Sequence, residues 1–274
     1  MPAFIRILKN HGHELTLFDV NQYRSKAVSD STDCTVSNSI QELVKRSDTV
    51  IICTPISTIP GVVEEISSHA EKAINLVEIS SIKNKSVAAL KASPEHIRPL
   101  SVHPMFGPDV ESFNGTTVIV VPVIDENREV KLAHELFTGA KIKVLSSETH
   151  DQSMAVILSL PYFMNSAFVQ CIKDGQLPLL REIAGPTFKT QLALSECILG
   201  EDPSLVHSLI EDNVYARDIL SQFIDELKYL RRMLKKSPGK LADYYYASLE
   251  DLKSDPELSE ARRLRDQFLQ RNRA

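Results

Sequence analysis

The segment Ser101-Val102-His103-Pro104-Met105-Phe106-Gly107-Pro108 places an imidazole at the end of a short apolar run. A second segment, Val77-Glu78-Ile79-Ser80-Ser81-Ile82-Lys83, places two hydroxyls and an ammonium at the end of another. A neutral imidazole can take a proton from a hydroxyl near neutral pH, and a serine on a neighbouring strand end can share a hydrogen bond with it. His103 is therefore the candidate acid–base group and Ser81 its candidate partner. Plainer readings stand beside these. A histidine before proline can be a packed loop residue, and Ser81 can cap the helix that follows it. Lys83 reads as a charge for a bound anion or as a solvated lysine. Thr54-Pro55 reads as a turn after an apolar run. His150 is a candidate substrate contact, while Asp151 suits the start of a helix.

Composition narrows the chemistry. The 274 residues are 43% hydrophobic and 24% charged, a globular balance. The net charge is −5 and the isoelectric point near 5.9, so no basic face is expected and nucleic acid is not an expected partner. Cys34, Cys53, Cys171 and Cys197 form no CxxC pair, which argues against a metal site or a disulfide framework. Cys53, inside an apolar run, reads as a core residue. No continuous run of about 18 apolar residues stands out, so no membrane span is expected, and a cytoplasmic location is the default.

These residues need strands to carry them. Leu15–Phe18, Thr49–Cys53, Ile74–Ile79, Pro99–Val102, Thr117–Val121 and Lys141–Leu145 are strand candidates. Continuous Val/Ile runs suit strands buried on both faces of a parallel sheet. Segments 38–46, 60–72, 84–92 and 127–138 have helical length and charge. The alternation predicts a doubly wound, Rossmann-like α/β domain over 1–146, with both chemical segments at carboxyl ends of strands, where such sheets place ligands. Residues 147–274 read as all-α. Thr149-x-x-Gln152 looks like a capping box, Pro161 should kink the helix it opens, and a further helix should end at Gly200. The seam Leu220, Phe223, Leu227, Leu230 and Leu234 predicts a long helix over 211–236.

The beginning is unusual for such a domain. Ala3, Ile7 and Leu8 share one face of a helix that Gly12 should end, and Leu15–Phe18 then reads as the second strand of the unit. On this frame the first strand and the Gly-x-Gly-x-x-Gly loop are lacking, and neighbouring strands are left with open edges. Asp19, at the end of that strand, can accept hydrogen bonds from a ribose 2′-hydroxyl and would repel a 2′-phosphate, which favours NAD over NADP. The alternative is an N-terminal helix of an unrelated fold, with Asp19 a turn residue.

Ser81-Ile82-Lys83, His103-Pro104-Met105-Phe106-Gly107-Pro108 and Glu148-Thr149-His150-Asp151 together resemble the prephenate dehydrogenase family, especially its archaeal-type members, over nearly the whole chain. The resemblance implies an NAD- or NADP-dependent oxidative decarboxylation of prephenate, or of arogenate, in tyrosine biosynthesis. On it, His103 accepts the hydrogen bond or proton of the C4 hydroxyl as hydride leaves, and Ser81 orients His103 and contacts the hydroxyl or the nicotinamide. Thr54-Pro55 resembles the family's turn beneath the nicotinamide ribose, with Ser80 also on the cofactor side. Lys83 and His150 become substrate-side candidates. No metal is implied.

The chain departs from the bacterial branch at two places. Ser159-Leu160-Pro161-Tyr162 stands where that branch has His-Leu-Pro-His, and Phe188–Ala193 lacks its carboxylate-holding arginine, with Lys189 and Arg217 as the candidate cations there. The alternative to an enzyme is a catalytically impaired homologue that survives as a dimeric interaction or regulatory protein. A third class, β-hydroxyacid or imine-reducing enzymes, is disfavoured because no lysine lies between 144 and 172. The leucine seam predicts a homodimer through the helical domain.

Overall fold

The computed structural model describes residues 2–172, 175–236 and 239–271. The chain divides into two compact units, Met1–Met154 and Ala155–Ala274.

In the first unit α1 (Pro2–Asn10) buries Phe4, Ile5, Ile7 and Leu8. It ends as expected at Gly12, whose φ is 88°. The N–H of His13 reaches the Leu8 carbonyl and that of Gly12 the Lys9 carbonyl, the paired bonds of a left-handed glycine stop. Then come β1 (Thr16–Leu17), α2 (Gln22–Thr32), β2 (Thr35–Val36), α3 (Ile40–Arg46), β3 (Thr49–Ile52), α4 (Ile59–His69), β4 (Ile74–Glu78), α5 (Asn84–Lys91), β5 (Ile97–Pro104), β6 (Thr117–Val120), α6 (Glu126–Leu136), β7 (Lys141–Val144) and α7 (Ser147–Met154).

The sheet stands in two pieces. β1 and β2 pair in parallel as a short ribbon, and β3-β4-β5-β6-β7 form a second sheet, parallel throughout except where β5 meets β6. β1 and β3 are thus both edges. Two side-chain clusters bury the larger sheet on both faces. Phe4, Ile7 and Leu8 of α1 and Ala133 and Leu136 of α6 pack with Val77, Leu100 and Val102. Val44, Ile59, Val63, Ile66 and Leu90, from α3, α4 and α5, pack with Leu76, Val50 and Ile52. Leu76 and Val77 belong to different clusters because successive strand side chains point to opposite faces.

Two expectations are corrected. Cys53 is exposed: it lies just past β3, where Val50 and Ile52 take the buried positions. The residue capping α7 is Ser146, whose hydroxyl accepts from the Thr149 N–H at 3.1 Å, so Thr149 is inside the helix. By its internal packing α7 groups with the first unit.

The second unit is helical: α8 (Leu160–Ile172), α9 (Leu177–Ile183), α10 (Pro186–Leu199), α11 (Pro203–His207), α12 (Ala216–Lys236), α13 (Lys240–Leu252) and α14 (Ala261–Arg271). The expected distortion at Pro161 is a widened π-turn, Ala155–Ser159, just before it, because proline has no N–H to give to the preceding turn. Inside, Asn165 Oδ1 accepts from Ser195 Oγ and Gln191 Nε2, both at 2.7 Å. Along α12, Leu220 is buried while Leu227 and Leu234 are exposed. The helical run Ser147–Ile172 is, by length and composition, long and apolar enough to cross a membrane, with mean hydropathy 1.5. Scattered serines, Asn165 and Tyr162 hide that stretch from a search for continuous apolar residues.

Candidate active site

The site lies wholly within the first unit, where β4, β5, the loop before α5 and α7 meet. β4 and β5 run parallel with Glu78 opposite Ser101, and His103 follows two residues later near the carboxyl end of β5. A carboxylate on a doubly covered strand needs partners, since a bare buried charge is very costly. Glu78, fully buried, has them: Oε1 accepts from the Lys83 ammonium at 2.7 Å and from the Ser101 hydroxyl. Its Oε2 accepts from the Ser80 N–H at 2.9 Å and lies 2.6 Å from the Ser80 hydroxyl. Lys83 also donates to the Val102 carbonyl at 2.6 Å.

α7 supplies the rest. The Asp151 carboxylate accepts the N–H of Lys83 at one oxygen and that of Asn84 at the other, each at 2.9 Å. It thereby caps α5, whose own N-cap side chain makes no such bond. Asp151 Oδ1 also lies 2.7 Å from His150 Nδ1, and His150 Nε2 lies 3.0 Å from His103 Nδ1. The two imidazoles meet at 62°, with centroids 5.2 Å apart. His103 is only 5% exposed, and among the described residues no protein group bonds its Nε2. Burial holds the His103 imidazole well below its ordinary value, and the Lys83 ammonium and then His150 push the same way. Burial also lowers His150, against the pull of Asp151. Both rings are held toward their neutral forms.

The expected site residues therefore fall into two groups. His103 is the imidazole with a nitrogen to offer, but its partner is His150 rather than Ser81, which sits half-buried in the loop after β4. Lys83 and His150 are not available to a substrate: Lys83 is completely buried with its ammonium turned to Glu78 and Val102, and His150 is completely buried with both nitrogens engaged. Ser80 is likewise buried, with its hydroxyl turned to Glu78. Lys189 and Arg217 are exposed on the second unit. Sequence reasoning gave no role to Glu78 or Ser101. The available signal was a lone acid inside the apolar run Ile74–Ile79 with a cation five residues on, a pairing that burial demands.

The groups expected to meet a dinucleotide lie elsewhere on this unit. Asp19 stands just past β1; its Oδ1 accepts from the Asn21 N–H at 2.7 Å, and its Oδ2 has no protein partner among the described residues. Thr54 and Pro55 are exposed at the carboxyl end of β3. The first turn of α1 has no acidic side chain to oppose a phosphate. These groups fit a ribose hydroxyl, a nicotinamide and an anion.

Comparison with known proteins agrees in both units. Residues 4–146 match the family model described as prephenate dehydrogenase, nucleotide-binding domain, and residues 146–247 match prephenate dehydrogenase, dimerization domain. The chain is 26% identical over 243 residues to a probable arogenate/prephenate dehydrogenase of Methanocaldococcus jannaschii, covering 85% of this chain and 54% of that protein. It is 30% identical over 179 residues to the T-protein of Enterobacter agglomerans, covering 62% of this chain and 46% of that one. The chain thus spans about half the length of either relative. In structure it resembles prephenate dehydrogenase from Aquifex aeolicus, solved with hydroxyphenyl propionate and NAD+, with a TM-score of 0.75 and 19% identity over 91% of this chain and 92% of that one.

Proposed function

Because the chain belongs to the prephenate dehydrogenase family, we propose that it oxidises and decarboxylates prephenate or arogenate with NAD or NADP in tyrosine biosynthesis. The observation that carries this is the free Nε2 of His103, on an imidazole held neutral near the carboxyl end of a parallel strand. That nitrogen takes the proton of the C4 hydroxyl, so the O–H bond breaks and an N–H bond forms as C4 gives up hydride. The dinucleotide, when bound, supplies the hydride acceptor. Loss of the C1 carboxylate as carbon dioxide leaves its electron pair in the ring, which becomes an aromatic phenolate, and His103 returns its proton to that oxygen. The protein need only orient the ring and lend a base.

Ser81, half-buried beside the strand ends, would orient the C4 hydroxyl. Asp19 would hold the ribose hydroxyls, which favours NAD, and Thr54-Pro55 would lie beneath the nicotinamide. A homodimer through the second unit is supported by the dimerization-domain match and by the exposed apolar residues of α12.

The test is turnover of prephenate and of arogenate, each with NAD and with NADP, by the purified chain. The His103→Asn variant should lose about 10²–10⁴-fold in kcat with KM little changed, because the lost interaction belongs to the transition state. Equal turnover by His103→Asn, or none by the wild-type chain in any of the four combinations, refutes the reading.

A further inference from the structure

An imidazole can serve as a base only at the nitrogen that carries no proton, and here that nitrogen is settled by groups reaching back to α7. Both oxygens of Asp151 accept backbone N–H groups, from Lys83 and Asn84. Backbone amides can only donate, and they lie at the positive end of α5, so the carboxylate is ionised and purely an acceptor. The 2.7 Å contact at Oδ1 must then be a donation from His150 Nδ1. A neutral imidazole with its proton on Nδ1 has a lone pair on Nε2. The 3.0 Å contact with His103 must accordingly be a donation from His103 Nδ1, and the lone pair of His103 falls on Nε2.

We propose that Asp151 and His150 are positioning residues that lock the proton of His103 on Nδ1 and so make Nε2 the working base. The proposal rests on the functional reading above and deepens it. Neither Asp151 nor His150 touches substrate. As His103 gains a proton at Nε2, its Nδ1–H donates more strongly to His150, whose own N–H faces the carboxylate, so the new charge meets donors and acceptors already aligned. Were His150 to gain a second proton, both its nitrogens would donate. His103 would have to accept at Nδ1 and carry its proton on Nε2, where it could not act as base. The charged and titratable groups around the pair are Glu78 on β4, Lys83 before α5 and Asp151 on α7. Of these, Lys83 disfavours a second proton on His150, while Asp151 and Glu78 favour one.

Nitrogen-15 NMR of the full chain with labelled histidine reads the tautomer directly and needs no substrate. The wild-type protein should show His103 with its proton on Nδ1. In Asp151→Leu the His150 N–H loses its acceptor, so the Nε2–H form of His103 should become populated and kcat should fall with KM nearly constant. His150→Leu should lose comparably. His150→Gln offers an amide oxygen to the His103 N–H without help from Asp151, and should recover most of that loss. A wild-type Nε2–H tautomer, an Asp151→Leu variant that keeps the pure Nδ1–H form, or a His150→Gln variant as impaired as His150→Leu would each overturn the lock. A chain that turned over neither acid would instead sink the functional reading, while the nitrogen shifts still decide the tautomer.

Discussion

His103 and His150 are histidines that the fold keeps from protonating. Below pH 6.5 a free imidazole takes up a proton, but burial, with Lys83 nearby, lowers the affinity of both rings. Between 6.5 and the lowered value, His103 stays neutral and keeps its lone pair. The acid limb of kcat/KM should therefore lie below pH 6.5, which a pH profile on either acid measures; a limb at or above 6.5 would contradict the burial seen here. Over the same window the unfolded chain binds protons that the folded chain does not, so stability should decline as pH falls through 6.5 toward the lowered value. Much of this was legible in residue types alone. His103, His150 and Asp151 stand out in the sequence by kind and neighbourhood. What spacing could not convey is that His150 is the neighbour of His103 across 47 positions, since only the folding of α7 against the strand ends creates that contact.

At the scale of elements, a single ammonium ties three together. Lys83 at the start of α5 reaches Glu78 on β4 and the Val102 carbonyl on β5, with no solvent at either charged end. Removing one partner of such a pair leaves the other buried and bare, at a cost of about 3–5 kcal/mol. Lys83→Met should thus lower the urea midpoint by an amount equivalent to about 3 kcal/mol or more, with turnover lost in step as the wall behind His103 loosens. An unchanged midpoint would mean that Glu78 finds its neutralising partner elsewhere. The sequence pointed to an anion-binding or a solvated lysine because exposure is set by tertiary packing and not by residue type. The same limit explains which elements were legible. β3 and β6 are Val/Ile runs and β4 is a mostly apolar run buried on both faces, so all three declare themselves. β2 is two exposed residues, Thr35 and Val36, too short for any period. α2 buries only Ser25 and Thr32, so it has no apolar stripe to find.

For the whole molecule the expectation is a dimer. Val156, Ile157, Leu194, Leu227 and Leu234 of the second unit remain exposed in the single chain, at 52, 52, 47, 48 and 58%, and residues 146–247 match a dimerization domain. Light scattering at micromolar concentration should give twice the 30.7 kDa chain mass, and the double change Leu227→Glu with Leu234→Glu should shift it toward one. A monomeric wild-type chain would end the expectation. The apolar run Ser147–Ile172 is accounted for in the same way: a helix that meets a second copy needs an oily surface as much as one that meets lipid. The divided sheet carries a different consequence. β1 and β2 share ladder bonds with each other but not with β3, so α1 is joined to the larger sheet by Phe4, Ile7 and Leu8 rather than by strand pairing. Apolar contact loses strength on cooling. The amino-terminal ribbon is therefore the portion of the fold that chilling would release first, as a hinged flap and not as a global collapse.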